Sequence, residues 1–148
     1  MPQDKFPPGK LSRHFTFEEL TITSKAPYKL LNCLLARQYV RNMTVLANYL
    51  LEPVRAILGT PLIITSGYRC PCLNKEIGGV NNSQHLSGTA ADFVIDTKYL
   101  TLENAFIKLK ESSFLHYGQL IFEKKWIHIS LGAPFRELNK CYESFKIL

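Results

Sequence analysis

Two long segments carry apolar side chains at the three- and four-residue spacing of a helix. Between about Leu30 and Leu58 this spacing predicts the longest helix of the chain. Pro53 lies inside that segment and is expected to kink or divide the helix, because proline lacks a backbone N–H and its ring clashes with the preceding turn. Gly59 then ends the helix. The second helix is predicted from Thr101 to Ser112, with Thr101 as its N-cap.

Shorter apolar segments, bounded by glycine, proline or polar turn residues, have the pattern of β-strands. The last two are separated by only a few residues and are expected to pair as a hairpin. Helices before and between antiparallel strands predict an α+β fold. We expect a single domain in which a small, mainly antiparallel sheet has helices packed on one side. The predicted strands are Leu62–Thr65, Ala90–Ile95, Gln119–Phe122 and Trp126–Leu131.

Two local features stand outside these elements. Thr16 and Glu19 have the spacing of a capping box, in which each side chain binds the backbone of the other residue, and they predict a capped helical turn. The segment from Tyr68 to Ser87 is rich in turn-forming residues and reads as a loop, with one helical turn near Leu73–Ile77.

The two ends of the chain have a less regular pattern. Residues 1–12 are polar and proline-rich, so we expect residues 1–13 to form a loosely ordered N-terminal segment. Residues 14–148 would then form the folded domain. Its last part, residues 134–148, is mixed in composition and is expected to hold a short helix.

The composition is that of an ordinary globular protein. Of 148 residues, 46% are apolar and 20% are charged, which suits one domain with one core. No apolar run reaches the roughly 20 residues needed to span a bilayer, so no membrane span is predicted. We expect a monomer.

The net charge of +6 indicates an anionic partner. The basic residues are spread along the chain, however, and the longest run is Lys124-Lys125. This distribution argues against a nucleic-acid-binding arm, and no aromatic–basic interleaving supports such a partner. A folded basic patch that binds nucleic acid remains the alternative to an anionic cell wall or lipid surface.

Four cysteines are present, and their redox state is open. Cys70 and Cys72 are separated by one residue, which is too close for the usual spacing of a zinc knuckle or a redox motif. The start of the chain lacks the apolar core of a secretory signal. We therefore expect four reduced thiols, and a bridge between Cys33 and Cys141 remains the alternative.

Two histidines and one aspartate, His85, Asp92 and His128, lie in settings that can converge on one metal ion. Small residues between His85 and Asp92 let the backbone turn so that both side chains reach the same point. Strand alternation places His128 on the face opposite the apolar Ile127 and Ile129. Three N or O ligands suit a catalytic zinc, because the fourth position then holds a water whose pKa falls from about 15.7 towards 7.

The predicted hairpin supplies a carboxylate for the same site. If Lys124 and Lys125 form a two-residue turn, Glu123 pairs with Trp126, and Ile121 pairs with His128. Glu123 then lies on the face of His128, within reach as a general base. A three-residue turn would reverse the face of Glu123, since a slip by one residue exchanges the two sides of a strand.

The chain resembles the zinc D-alanyl-D-alanine peptidase family, whose members cleave peptidoglycan stem peptides and share a fold with the vancomycin-resistance dipeptidases and the hedgehog amino-terminal domain. The likeness covers roughly residues 14–131, and the version seen here resembles the short form found in bacteriophage and bacterial wall-lytic proteins. It rests on Phe15–Thr21, on Ser66-Gly67-Tyr68-Arg69, on Leu73–Gly79, on Ser83, His85, Gly88, Ala90 and Asp92, and on His128 in its Trp-Ile-His-Ile-Ser strand.

The resemblance implies one zinc ion per chain, with His85, Asp92 and His128 as ligands. It also implies that Arg69 steadies the scissile carbonyl or the charge that develops on it, a role suited to a preorganised cation. The alternative for Arg69 is a surface salt bridge. His14 and His116 have no comparable context and are read as structural or exposed.

The chain departs from the family pattern at two positions. Many members have a second histidine two residues before the last ligand, where this chain has Trp126. The dipeptidase-like members have a glutamate at the position of Lys125, so Glu123 is the best remaining general base. The candidate substrate-binding residues are Tyr68, Ser83, Gln119 and Trp126.

The expected function is zinc-dependent hydrolysis of peptide bonds in peptidoglycan stem peptides, of carboxypeptidase or endopeptidase type. The main alternative is a non-catalytic binding module that keeps the zinc site, since fold does not settle function. Without a leader, the protein is expected to be made in the cytoplasm and to reach the wall after release or as a virion component.

Overall fold

The computed structural model describes residues 9–132 and 140–143. Its sheet has five strands: β1 (Ile63–Ser66), β2 (Ala90–Val94), β3 (Gln119–Phe122), β4 (Ile127–Ser130) and β5 (Lys140–Glu143). Their spatial order is β1-β2-β4-β3-β5. The first four pair antiparallel, and β5 lies parallel to β3. The predicted α+β fold with a mainly antiparallel sheet is confirmed.

The helices are α1 (Lys29–Ala36), α2 (Val40–Leu46), α3 (Glu52–Leu58), α4 (Pro71–Glu76) and α5 (Leu102–Glu111). Short 3₁₀ turns occur at Glu19–Thr21, Ala26–Tyr28, Arg37–Tyr39 and Gln84–Ser87. Within the described part of the chain, none of the helices has the length and apolar character needed to cross a bilayer.

The predicted long helix is divided in two places. A division near Pro53 was expected, whereas the division at Arg37–Tyr39 was not. Arg37–Tyr39 forms a 3₁₀ turn between α1 and α2, and Ala47–Leu51 forms a π turn between α2 and α3. Pro53 lies in the first turn of α3, where its missing N–H costs no helical hydrogen bond. The predicted end is confirmed, because Gly59 adopts the left-handed conformation (φ 66°) that closes α3.

The two predicted caps are present. The backbone N–H of Glu19 donates to Thr16 Oγ1 at 3.2 Å, and the N–H of Thr16 donates to Glu19 Oε2 at 2.8 Å, which is a capping box. Thr101 accepts a hydrogen bond from the N–H of Asn104 at 3.1 Å and so begins α5.

The core lies between the helices and one face of the sheet. Phe93, Ile127 and Ile129 are fully buried on that face, and the Phe106 ring of α5 stacks on Phe122 of β3 with 5.5 Å between ring centroids. This packing leaves the alternate side chains of the strands on the opposite face, where the polar residues lie.

The ends of the chain differ in part from expectation. Leu11 and Ser12 are buried, and Asn48 donates to the Leu11 carbonyl at 2.9 Å, so the packed part of the chain begins before residue 14. Residues 1–8 lie outside the described residues. In the tail, Lys140–Glu143 is a strand where a short helix was expected, because β3 offers a free edge; the rest of 133–148 lies outside the described residues.

Candidate metal centre and cleft

His85 is held by the short 3₁₀ turn Gln84–Ser87. The Ser83 hydroxyl accepts a hydrogen bond from the His85 N–H at 3.2 Å, which caps the turn, and Gly88 ends it in the left-handed conformation. The His85 ring is 2% exposed, and its Nδ1 lies 2.7 Å from the Gly67 carbonyl oxygen. A carbonyl can only accept, so Nδ1 carries the proton and Nε2 offers its lone pair.

Asp92 and His128 are direct partners in the register between β2 and β4. The Asp92 Oδ1 atom lies 2.8 Å from His128 Nδ1 and 3.3 Å from His85 Nε2. The other carboxylate oxygen, Oδ2, lies 3.9 Å from Nη2 of Arg69. The two oxygens of Asp92 therefore face different partners: Oδ1 faces the histidines and Oδ2 faces the arginine.

This arrangement fits a zinc ion. Zn–N and Zn–O bonds of about 2.0–2.1 Å at a tetrahedral angle place neighbouring ligand atoms about 3.3 Å apart. One candidate ligand atom from each of His85, Asp92 and His128 lies within 4.8 Å of the others. The Nε2 atom of His85 is buried and has no hydrogen-bond partner among the described residues. A buried nitrogen without a partner is costly unless something binds it, and a metal ion would.

The protonation states also suit a metal. Burial lowers the pKa of His85, so its ring is neutral near neutral pH. Burial alone would raise the pKa of Asp92, but the hydrogen bond from His128 and the electrostatic effect of the neighbouring His85 outweigh it and hold that pKa well below its ordinary value. A neutral imidazole and an ionised carboxylate are the forms that bind metal.

Arg69 lies beside the ligands and is largely buried. Its Nη1 donates to Asn74 Oδ1 at 2.9 Å, and its backbone N–H donates to the His85 carbonyl at 3.0 Å. Burial lowers its pKa and the Asp92 carboxylate raises it in part, and arginine stays charged in proteins. A buried cation next to a metal ligand does not fit the surface salt bridge that was the alternative for this residue.

The hairpin has the expected register. Ile121 pairs with His128, and the Glu123 N–H donates to the Trp126 carbonyl at 3.0 Å, so Lys124 and Lys125 form the turn. Lys124 has a φ of 69°, which lets a two-residue turn close without glycine. Glu123 therefore lies on the side of the sheet that carries His128.

These residues line one open cleft of about 570 Å³. The cleft contains the three metal-ligand candidates, together with Arg69 and Glu123. Of the four predicted substrate-binding residues, three line it. They are Ser83, Gln119 and Trp126.

Tyr68 is the exception and needs correction. Its side chain is 1% exposed and packs against Tyr39, with 5.3 Å between ring centroids. It is absent from the cleft lining, and burial raises its pKa to about 12. Tyr68 and Arg69 point to opposite sides of the chain after β1, so when Arg69 enters the cleft Tyr68 enters the core.

Sequence reasoning missed several lining residues. Asn82 and Gln84 flank Ser83, and Ile121 is the register partner of His128, so the position of each in the chain could have indicated it. No such neighbour in the sequence indicates that the loop containing Gly78, Gly79 and Val80 lines the cleft. The lining residues not predicted are Gly78, Gly79, Val80, Asn82, Gln84 and Ile121.

His14, His116, Cys33, Cys70 and Cys72 are not among the residues that line the cleft. His116 is exposed, and His14 is paired with Glu52 through Nδ1 at 2.7 Å. Cys33, Cys70 and Cys72 are free thiols. The side chain of Cys141 lies outside the described residues, so the redox state of the four cysteines stays a prediction.

The chain belongs to the M15 peptidase family, because the family model described as Peptidase M15 matches residues 13–130. The match spans the capping box, Arg69, all three metal-ligand candidates and Glu123. Members of the family are zinc-dependent peptidases, and the His85, Asp92 and His128 group is suited to hold that metal. No curated protein matches the chain.

Proposed function

We propose that the protein hydrolyses peptide bonds in the stem peptides of peptidoglycan, as a D,D-carboxypeptidase or an endopeptidase. The observation that carries the proposal is the convergence of three metal-ligand candidates, one buried cation and one carboxylate in a single open cleft. Membership of the M15 family supplies the reaction class. The stem-peptide substrate is what the resemblance to D-alanyl-D-alanine peptidases implies.

His85, Asp92 and His128 would hold the zinc ion. When bound, zinc polarises a carbonyl and makes a water acidic enough to act as a nucleophile near neutral pH. Gly67 fixes the His85 ring through Nδ1, and Arg69 faces the Asp92 oxygen that points away from the histidines. The Gly67 contact orients His85 before substrate arrives, which is how outer partners tune a metal site.

Glu123 would supply acid–base catalysis in the cleft, and Arg69 would supply electrostatic stabilisation. Glu123 would accept the proton of the attacking water and pass it to the leaving amine. Arg69 would donate hydrogen bonds to the scissile carbonyl oxygen as negative charge develops on it. Both groups act on the substrate, so neither is needed to hold the metal.

The other lining residues suit a peptide. Ser83, Gln84 and Gln119 carry groups that can bond a peptide backbone, and Val80 and Trp126 offer apolar contact for small side chains such as alanine. An open cleft also admits a branched or cross-linked chain. The net charge of +6 would concentrate the protein on an anionic wall, and we propose that it acts there after release from the cell that makes it or as a virion component.

A panel of defined muropeptides tests the proposal. It contains a stem pentapeptide ending in D-Ala-D-Ala, a cross-linked dimer and the pentapeptide ending in L-Ala-L-Ala, each incubated with zinc-loaded protein and followed by mass spectrometry. Release of D-alanine indicates a carboxypeptidase, and separation of the dimer indicates an endopeptidase. Binding of the muropeptides without cleavage of any would contradict the proposal and favour a binding module.

A further inference from the structure

Asn74 contacts both Arg69 and the loop that borders the cleft. It lies in α4 and is 3% exposed. Its Oδ1 accepts the hydrogen bond from Arg69 Nη1 at 2.9 Å, and its Nδ2 donates to the Val80 carbonyl at 2.9 Å. Its own carbonyl accepts from the N–H of Gly79 at 2.8 Å. The buried Asn74 side chain therefore connects Arg69 to the loop that contains Gly79 and Val80.

The guanidinium of Arg69 has few other restraints. Its Nη2 is 3.9 Å from Asp92 Oδ2, which is too far for a hydrogen bond. Its Nε is buried and has no hydrogen-bond partner among the described residues. Within residues 9–132, the bond to Asn74 is thus the one side-chain hydrogen bond that fixes the orientation of this group.

Gly79 closes over this pair. A Cβ atom at Gly79 would lie 2.0 Å from Asn74 Oδ1 and 2.8 Å from Arg69 Nη1, so no side chain fits there. Gly78 differs, because it has a φ of +77° and a Cβ atom there would meet nothing within 4 Å. Position 79 therefore needs glycine for close contact, whereas position 78 needs it for backbone conformation.

We infer that Asn74 is a positioning residue for the hydrolysis: it holds one arm of the Arg69 guanidinium so that the remaining N–H groups face the scissile carbonyl. The inference rests on the proposed function, because it assigns Arg69 to the substrate. A residue that merely stabilised α4 would affect turnover whether or not Arg69 is present. The effect of Asn74 on turnover should instead depend on Arg69.

A double-mutant cycle on zinc-loaded protein tests this. Asn74→Leu removes both side-chain hydrogen bonds at similar volume and should lower kcat about 10–100-fold with a smaller change in KM, because a misplaced catalytic group costs up to about 10². In the Arg69→Ala background the same change should have no further effect beyond about twofold. Losses that multiply would overturn the inference. Asn81→Leu, an exposed change in the neighbouring loop, is the control and should leave kcat unchanged.

Asn74→Asp separates the two bonds of the side chain. An aspartate keeps an acceptor for Arg69 but loses the donor to Val80, so we expect it to recover most of the kcat that Asn74→Leu loses. Failure to recover, with normal zinc content, would mean that the Val80 bond matters and not the Arg69 bond. Should Asn74→Leu not fold, Gly79→Ala presses on the same two atoms and should lower kcat in the same Arg69-dependent way.

A spectroscopic readout keeps the inference separate from the proposed function. In ¹⁵N-labelled protein, the Arg69 guanidinium N–H signals should be resolved and protected from exchange, and Asn74→Leu should abolish that protection while Asn74→Asp keeps it. Protection that survives Asn74→Leu would contradict the inference even if the wild type cleaves muropeptides. Protection that depends on Asn74 in a protein without hydrolytic activity would refute only the proposed function.

Discussion

The Nδ1 atom of His85 lies 2.7 Å from the carbonyl oxygen of Gly67, and this contact decides which ring nitrogen faces the metal centre. Gly67 is itself packed tightly, because a Cβ there would lie 2.3 Å from the Leu20 carbonyl oxygen. The Tyr68 N–H donates to that same oxygen at 2.7 Å. The capped segment that ends at Thr21 therefore packs against Gly67 and Tyr68 and fixes the position of the carbonyl that orients His85.

Gly67→Ala should weaken zinc binding, because it disturbs the contact between Gly67 and Leu20. The added methyl group must displace either Leu20 or the Gly67 carbonyl, and loss of an outer partner of a metal ligand typically costs about 10–100-fold in affinity. Competition with a fluorescent chelator measures the zinc affinity. Gly59→Ala is the control: it strains a left-handed residue away from the cleft, so it should lower thermal stability but leave zinc affinity unchanged. Equal zinc affinity in wild type and Gly67→Ala would show that the packing of Gly67 on Leu20 does not orient His85.

Glu123→Gln should keep one zinc per chain and lose turnover by about 10²–10⁴-fold, the range expected for removal of a general base. The reason is that Glu123 lines the cleft on the side of His128 but lies outside the metal-ligand group. Initial rates on a stem peptide, normalised to bound zinc, provide the test. Glu111→Gln, on the exposed surface of α5, is the matched control. A rate within about threefold of wild type, far short of the loss expected for a general base, would assign the base to another group. Solvent hydroxide is then the next candidate, because His116 is not among the residues that line the cleft.

Arg69→Ala should retain zinc and lose about 10²–10³ in kcat, the usual cost of removing one donor to a developing oxyanion. Arg69→Lys should recover only part of this loss, since an ammonium cannot reproduce the planar geometry that bonds Asn74 and the substrate together. Steady-state kinetics on the zinc-loaded variants measure both effects. A fall in zinc content that accounts for the whole loss would instead make Arg69 a support for Asp92.

Glu52 should make folding stability depend on pH. Burial raises the pKa of Glu52, but hydrogen bonds from the His14 side chain, Ser12 and the His14 backbone outweigh it, so the net pKa lies below the ordinary glutamate value. A lowered folded-state pKa adds stability above the unfolded pKa, and that stability is lost as the pH falls through the folded value.

Glu52→Gln should therefore cost about 1.5–3 kcal/mol at pH 7, in line with hydrogen bonds to a charged group. The cost should shrink as the pH falls below the ordinary glutamate range. Urea unfolding of metal-free wild type and variant at pH 7 and at pH 3 measures the difference. An undiminished cost at pH 3 would show that the carboxylate charge is not its source.

Alternation along strands made much of the site predictable. The positions of Asp92, His128 and Glu123 followed from the period of two and from a two-residue turn, and the register of Ile121 with His128 agrees. Tyr68 was misplaced because it lies in a loop, where no alternation tells which side a residue faces. Asn74 and Gly79 were missed for a related reason: their contacts join α4 to the loop opposite, and no local pattern in the sequence encodes that closure.

The long helix shows a second limit. Its apolar spacing was correct, but the 3₁₀ turn at Arg37–Tyr39 has no proline or glycine to mark it. Tyr39 of that turn contacts the Tyr68 ring, with 5.3 Å between ring centroids, and this partner is distant in the sequence. The strand Lys140–Glu143 likewise depends on a non-local partner, because its edge pairing is with β3.

The rate of stem-peptide cleavage as a function of zinc added to chelator-treated protein decides whether the protein is a zinc-dependent hydrolase of stem peptides. We expect no cleavage without metal, a linear rise in rate, and a plateau at one zinc per chain. His128→Ala should show neither tight zinc binding nor recovery at that ratio. Cleavage that survives complete removal of the metal, or a protein that binds one zinc through His85, Asp92 and His128 and cleaves no stem peptide, would contradict it.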